Sequence, residues 1–405
     1  MDIIKLLCAF ALIVLMLAWK KPLSLAMITA GIAVILLYQL PLEVTVRALW
    51  KGLTGHSTIK AVLILYSVTY LQRMLEKRGD LRKCQAALNG LFNDRRINAS
   101  LAPCLLGCLP GGSTVLICGP IVRDSVGALL SPTETAAVTS FFRHIPESFL
   151  PTFTSVSIAL ELTDGRVKPG TFILAMIPTV IALFATGWLV YLRKLPKDTG
   201  TVADQPKKAY WLMLLKSVWT IALSILIILV TGLPVYGTVA ICVLINFFVG
   251  RFKLGEAVTF LRTAFELRLI ANIVMVMLFK ELLDAAGVIA ALPGIFSRLP
   301  IPSFLVFALI FFFGSIIASL QAITVLCLPI AVASVGAGPF LSLFVLMMSM
   351  GYAAMQLSPV HVCLTLCAED HKVPLGPMIW KTVPMVGVFS LLSFLYYFVL
   401  SAVGL

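Results

Sequence analysis

Charge is scarce in this sequence. Only 12% of its 405 residues are Asp, Glu, Lys or Arg, where soluble domains carry about a quarter, and the shortage excludes an ordinary water-soluble fold. Acidic residues are scarcer still, 18 against 31 Lys plus Arg. In a soluble chain a formal charge of +13 would point to nucleic acid. A membrane chain instead gathers Lys and Arg in its cytoplasmic loops, so no nucleic-acid partner is expected. No small-residue cleavage site follows the first apolar segment, which ends in Trp19-Lys20-Lys21-Pro22, and a retained span is expected there rather than a signal peptide. A nucleotide-binding loop, a Gly-x-Ser-x-Gly turn and a His-Glu-x-x-His pair are also missing. Direct ATP drive would need a separate subunit, and the chain is not expected to be an enzyme.

What the sequence has in abundance is apolar length, with 60% hydrophobic residues and a mean hydropathy of +1.03. At ~20 residues per spanning helix there is room for roughly ten spans. The expected fold class is an all-α polytopic membrane protein. Eight full spans are expected near residues 3–19, 22–40, 59–75, 169–192, 210–231, 234–250, 262–283 and 375–400. The nine cysteines fall mostly inside apolar runs and are expected to be buried and reduced. The i, i+4 pairs Cys104/Cys108 and Cys363/Cys367 are expected to pack, so no metal site is expected.

Two apolar regions, 97–162 and 302–368, are interrupted in the middle of what should be hydrocarbon. Unpaired backbone at that depth survives only where it is packed in protein or lines a wet cavity. The first break, Leu109-Pro110-Gly111-Gly112-Ser113-Thr114, joins two arms too short to span, and the tip of a re-entrant hairpin is expected there. The second, at 142–151, carries Arg143, His144 and Glu147 between apolar flanks. As a broken helix it would present free N–H groups and a positive dipole end suited to an anion. The third break, at 318–324, offers Ser319, Gln321 and Thr324, and the fourth, at 355–361, offers Gln356, Ser358 and His361 around Pro359. Ionisable groups inside a span are functional candidates by default. Glu266/Arg268 and Arg123/Asp124 are expected to be interfacial charge pairs.

The one long hydrophilic connection, 193–208, lies near the midpoint. Ser113-Thr114-Val115-Leu116 with Pro120 beyond matches Ile323-Thr324-Val325-Leu326 with Pro329 beyond, at an offset of about 210 residues, and further matches follow in the same order. The loop after the third span carries Lys77, Arg78, Arg82, Lys83, Arg95 and Arg96, whereas its counterpart at 285–301 carries only Arg298. Opposite charge bias in equivalent loops implies two halves inverted relative to each other. The expected organisation is a first inverted repeat over 1–192, with a hairpin at about 97–129 and a broken helix at about 133–162. A cytoplasmic linker follows over 193–209, then a second repeat over 210–405 with a hairpin at about 302–336 and a broken helix at about 338–368. About ten transmembrane helices alternate on this map. Both termini fall outside a prokaryotic cytoplasmic (inner) membrane.

The Pro-Gly-Gly-Ser-Thr tip, the broken helix and the second copy ending in Gln-Leu-Ser-Pro-Val-His resemble the ion transporter superfamily. Its members include divalent-anion/sodium symporters, gluconate permeases, citrate-metal symporters and arsenite permeases. The stretch Phe142-Arg143-His144-Ile145-Pro146-Glu147 is similar to one in an uncharacterised prokaryotic branch of that superfamily. The resemblance implies an elevator mechanism in a homodimer, with solute held between two hairpin tips and two helix breaks. By position, Gly111, Gly112, Ser113 and Thr114 with Ser319, Gln321 and Thr324 would be the tips; Arg143, His144 and Glu147 with Gln356, Ser358 and His361 would be the breaks. The Ser-Asn-Thr tip signature of dicarboxylate symporters is absent, a departure that bears on both sodium coupling and dicarboxylate specificity.

The expected function is secondary active transport of a small anionic solute, with Arg143 holding the anion and no cofactor beyond a coupling ion. That ion is a proton carried by His144, Glu147 or His361, or Na+ held at Ser113, Thr114 and Thr324. A channel is the alternative, and a membrane-embedded enzyme a lesser one.

Overall fold

Proline and glycine punctuate the chain into helices. Proline has a fixed φ suited to the start of a helix, and Pro22, Pro41, Pro206, Pro234, Pro302 and Pro374 each stand immediately before one. At the other end, Gly79 and Gly232 take the left-handed conformation, with φ 67° and 65°, that closes a helix. The computed structural model describes residues 2–19, 21–91, 94–108, 113–197, 206–288, 301–359 and 361–405. Among the described residues there are nineteen α-helices, three short 3-10 turns and no strand.

In the first half these are α1 (Asp2–Ala18), α2 (Leu23–Leu37), α3 (Leu42–Thr54), α4 (His56–Arg78), α5 (Asp80–Leu91), α6 (Arg95–Gly107), α7 (Ser113–Val126), α8 (Pro132–His144), α9 (Thr154–Leu162) and α10 (Pro169–Val190). The second half contains α11 (Lys207–Thr231), α12 (Val235–Val249), α13 (Leu254–Thr263), α14 (Leu267–Ala285), α15 (Ser303–Ala318), α16 (Leu320–Val335), α17 (Leu341–Met355), α18 (Val362–Asp370) and α19 (Leu375–Ala402). Three of them, α10, α11 and α19, are long and apolar enough to cross a membrane. Their apolar side chains face outward as well as inward: Leu174, Ile177, Ile181 and Trp188 on α10 are all exposed. An apolar exterior of this extent is compatible with a helical membrane protein.

Seven of the eight expected spans are each occupied by one helix. The expected span at 262–283 is instead two helices, α13 and α14, parted at Phe265 and Glu266. The Glu266 carboxylate is held there by Arg73 of α4 at 2.9 Å. The charged loop expected after the third span contains α5, whose Cys84, Ala87, Leu88 and Leu91 are buried beside α11. The start of the linker is docked as well: Leu195 is buried, the Arg95 N–H donates to the Lys197 carbonyl at 2.8 Å, and Arg96 Nε donates to the Leu195 carbonyl at 2.8 Å. Arg123 pairs across the molecule with Asp370 at 2.5 Å. Arg298 lies outside the described residues, and so does the Arg268 side chain. All nine cysteines are free and six are buried.

Each broken region is caught by helices of the other half. α9 packs on α16 and α18 on α7, while α3 packs on α14 and α13 on α4. Ion pairs and backbone contacts pin the same crossings. Lys51 of α3 reaches Glu281 of α14 at 2.7 Å, and Arg78 of α4 reaches Glu256 of α13 at 3.9 Å. Arg166, after α9, donates to the Val332 and Gly338 carbonyls around the end of α16 at 3.0 and 2.6 Å.

Candidate functional site

In the second half a single residue, Ser319, separates α15 from α16. Its φ of 90° and ψ of 149° lie in a region open in practice only to glycine. The Ser319 hydroxyl accepts from the Ala322 N–H at 3.3 Å and so caps α16. In the first half Gly111 and Gly112 lie outside the described residues, and of Ser113 only its place at the start of α7 is described.

Pro146 and Pro151 interrupt the first broken helix. α8 ends at His144, a 3-10 turn covers Ile145–Ser148, and α9 begins at Thr154 with no side chain capping its free N–H groups. In the second broken helix α17 ends at Met355 and α18 begins at Val362, again without a side-chain cap. A helix start of this kind carries partial positive charge from several unpaired N–H groups.

Arg143 is the largest fully buried side chain. Nε donates to the Thr114 hydroxyl at 3.0 Å and Nη1 to the carboxylate of Glu147, so one guanidinium ties the hairpin helix α7 to both sides of the break. Burial of such a pair is tolerable only with this kind of saturation. Gly107 of α6 makes room for it, because a Cβ there would collide with the Arg143 carbonyl oxygen. Behind Arg143, the Nε2 atoms of His144 and His361 meet at 3.1 Å, joining the two breaks.

Glu147 opens onto a cavity of ≈ 380 Å³. Phe153, Thr154 and Ser155 at the start of α9 line it on one side; Ser315, Ser319, Leu320 and Gln321 line it around the start of α16; Met355, Ser358, His361 and Val362 line it around the start of α18. Three helix amino termini, contributed by both halves, thus border one space. Ser315 is fully buried at this wall, and its hydroxyl has no hydrogen-bond partner among the described residues. The Ser358 hydroxyl is committed to the Ile316 carbonyl at 2.7 Å, which fastens the second break to α15.

Of the residues singled out from the sequence, Glu147, Ser319, Gln321, Ser358 and His361 line the cavity. Thr114, Arg143 and His144 do not line it: Arg143 joins Thr114 to Glu147 of the lining, and His144 meets His361 of the lining. Thr324 and Gln356 are fully buried but do not line the cavity. Sequence reasoning missed Thr154, Ser155 and Ser315; the signal for the first two was their place just beyond Pro151, where a new helix must start. A separate recess of ≈ 440 Å³, crossed by the Lys60–Glu161 pair at 3.4 Å, contains none of the expected site residues.

Residues 3–400 match the family model described as "Protein of unknown function (DUF401)", and the chain belongs to that family. No curated protein matches it.

Proposed function

We propose that the protein is a secondary active transporter that moves a small anionic solute across a prokaryotic cytoplasmic membrane. The observation that carries this reading is the convergence of three uncapped or singly capped helix starts on one polar cavity shared by both halves. Positive helix ends pointing at an anion near the junction of two repeats are how discontinuous-helix transporters hold solute. In this reading the N–H groups of α9, α16 and α18 hold the anion, the Ser315, Ser319 and Gln321 side chains orient it, and Arg143 fixes the carboxylate of Glu147 at the rim. Glu147 and His361, both on the cavity wall, are the candidates for a coupling proton or Na+.

The reading extends to architecture. The helix order α3, α4 and α6 to α10 recurs as α13 to α19, residues 289–300 lying outside the described residues, and the paired crossings of α9 on α16 and α18 on α7 support two inverted repeats. In this reading the solute bound in the cavity is carried by an elevator-type movement, and we propose a homodimer with both termini outside. A channel would offer flux without accumulation.

Thermal unfolding of the purified protein with a panel of carboxylates, sugar acids and oxyanions, in sodium or choline and at two pH values, tests the site. One anion class raises the unfolding temperature, and Ser155→Trp, which fills the cavity at the start of α9, removes the effect. Silence across the panel, or an effect indifferent to Ser155→Trp, would contradict the site.

A further inference from the structure

His144 and His361 come from different halves, yet their Nε2 atoms stand 3.1 Å apart with ring planes tilted by 60°. The other nitrogen of His144, Nδ1, lies 2.6 Å from the Ser140 carbonyl oxygen. A carbonyl can only accept, so the proton of the neutral ring sits on Nδ1 and the lone pair of Nε2 faces His361. This is the arrangement by which a backbone carbonyl orients a metal-ligating imidazole. Cys363 follows His361 on the first turn of α18, and its sulfur and the two ring nitrogens all lie within 4.8 Å of one another.

We propose that His144, His361 and Cys363 form a site for a thiophilic cation of the Zn2+ class. Two imidazole nitrogens and one sulfur are a donor set suited to Zn2+ and poorly suited to Mg2+ or Ca2+. Tetrahedral zinc with bonds of about 2.0–2.1 Å to nitrogen separates two such nitrogens by roughly 3.3 Å, close to the spacing present. Arg143 is paired with Glu147, so a bound Zn2+ and the Cys363 thiolate together carry one net positive charge, which an anion at the fourth coordination position would balance. His361 also lines the cavity, and in this proposal the fourth coordination position faces it. The three-donor site stands whatever the cavity carries. That the open position meets the anionic solute rests on the transport reading above.

Cobalt titration of the full-length, chelator-stripped protein in detergent, without any solute, tests the site. One equivalent of Co2+ gives a tetrahedral absorption spectrum with a sulfur-to-cobalt charge-transfer band, and Zn2+ displaces it. Cys363→Ser abolishes that band and His361→Gln weakens Zn2+ binding by about tenfold or more, whereas Cys84→Ser and Cys327→Ser, buried elsewhere, leave both unchanged. The absence of a tetrahedral cobalt spectrum in the wild-type protein would overturn the proposal and reduce the pair to a histidine–histidine hydrogen bond. So would a charge-transfer band that survives Cys363→Ser. If that variant does not fold, the wild-type spectrum decides by itself. Metal binding without solute stabilisation would uphold this site and count against the transport reading, and the converse result would do the reverse.

Discussion

Ser319 holds a backbone conformation that costs a non-glycine residue about 1–3 kcal/mol. Its hydroxyl returns part of that by capping α16. Ser319→Gly relieves the strain and loses only a few tenths of a kcal/mol of capping, so a gain of about 1 kcal/mol is expected, while Ser319→Ala keeps the strain and loses about 1 kcal/mol. Opposite shifts of the thermal unfolding temperature check this; equal losses would contradict it. For the buried Arg143–Glu147 pair, Arg143→Ala or Glu147→Gln is expected to destabilise by about 3–5 kcal/mol, and Arg143→Met combined with Glu147→Leu by less than either alone. Denaturation of the three variants in one detergent makes the comparison. Much of the site was legible at this scale, since Glu147, Ser319, Gln321, Ser358 and His361 are polar groups that an apolar run cannot hold without a use. Thr154 and Ser155 were not, because their contribution comes from the backbone at a helix start. Of the cluster of His144, His361 and Cys363, the two histidines were singled out at the two breaks, whereas Cys363 was read as a packing residue, because only the meeting of α8 and α18 brings its sulfur to the ring nitrogens.

Helix ends carry the architecture, and those marked by proline or charge were readable. α3 and α13 were not read as helices, since each is short and amphipathic and looks like a polar connection between spans. α8 illustrates how an end is secured. Ser131 and Glu134 form a reciprocal cap, and Lys381 of α19 reaches Glu134 at 3.2 Å. Partial burial works against the Glu134 carboxylate, but the bonds from Ser131 and Lys381 outweigh it and hold the group below its usual value of 4.5. A depressed carboxylate stabilises the fold above its unfolded value and ceases to do so as pH falls through the folded one. Glu134→Gln is therefore expected to unfold earlier than wild type at neutral pH, with the difference closing below pH 4.5; parallel melting curves across that range are the check. The tight crossing of α6 and α8 gives a second expectation. Gly107→Ala, which drives a Cβ into the Arg143 carbonyl, is expected to cost about 1–3 kcal/mol.

At the scale of the whole molecule, the recurring helix order and the crossed packing of the halves make a single account of topology and function. Apolar length made the membrane class legible, and the offset matches around Thr114 and Thr324 are the sequence basis of the two repeats proposed above. The crossing itself was not legible, because no local pattern records which short helix rests on which. If the halves are inverted, a fluorescent protein fused after Leu405 is dark and a periplasmic phosphatase there is active, with the reverse at residue 197. The account stands or falls on transport. The decisive measurement is uptake of a labelled panel of carboxylates, sugar acids and oxyanions into liposomes containing the purified protein, with and without an imposed sodium or proton gradient. The predicted result is accumulation of one anion class above its external concentration only when a gradient is present, abolished by Ser155→Trp. Simple equilibration indifferent to either gradient, or no flux of any anion, would contradict it.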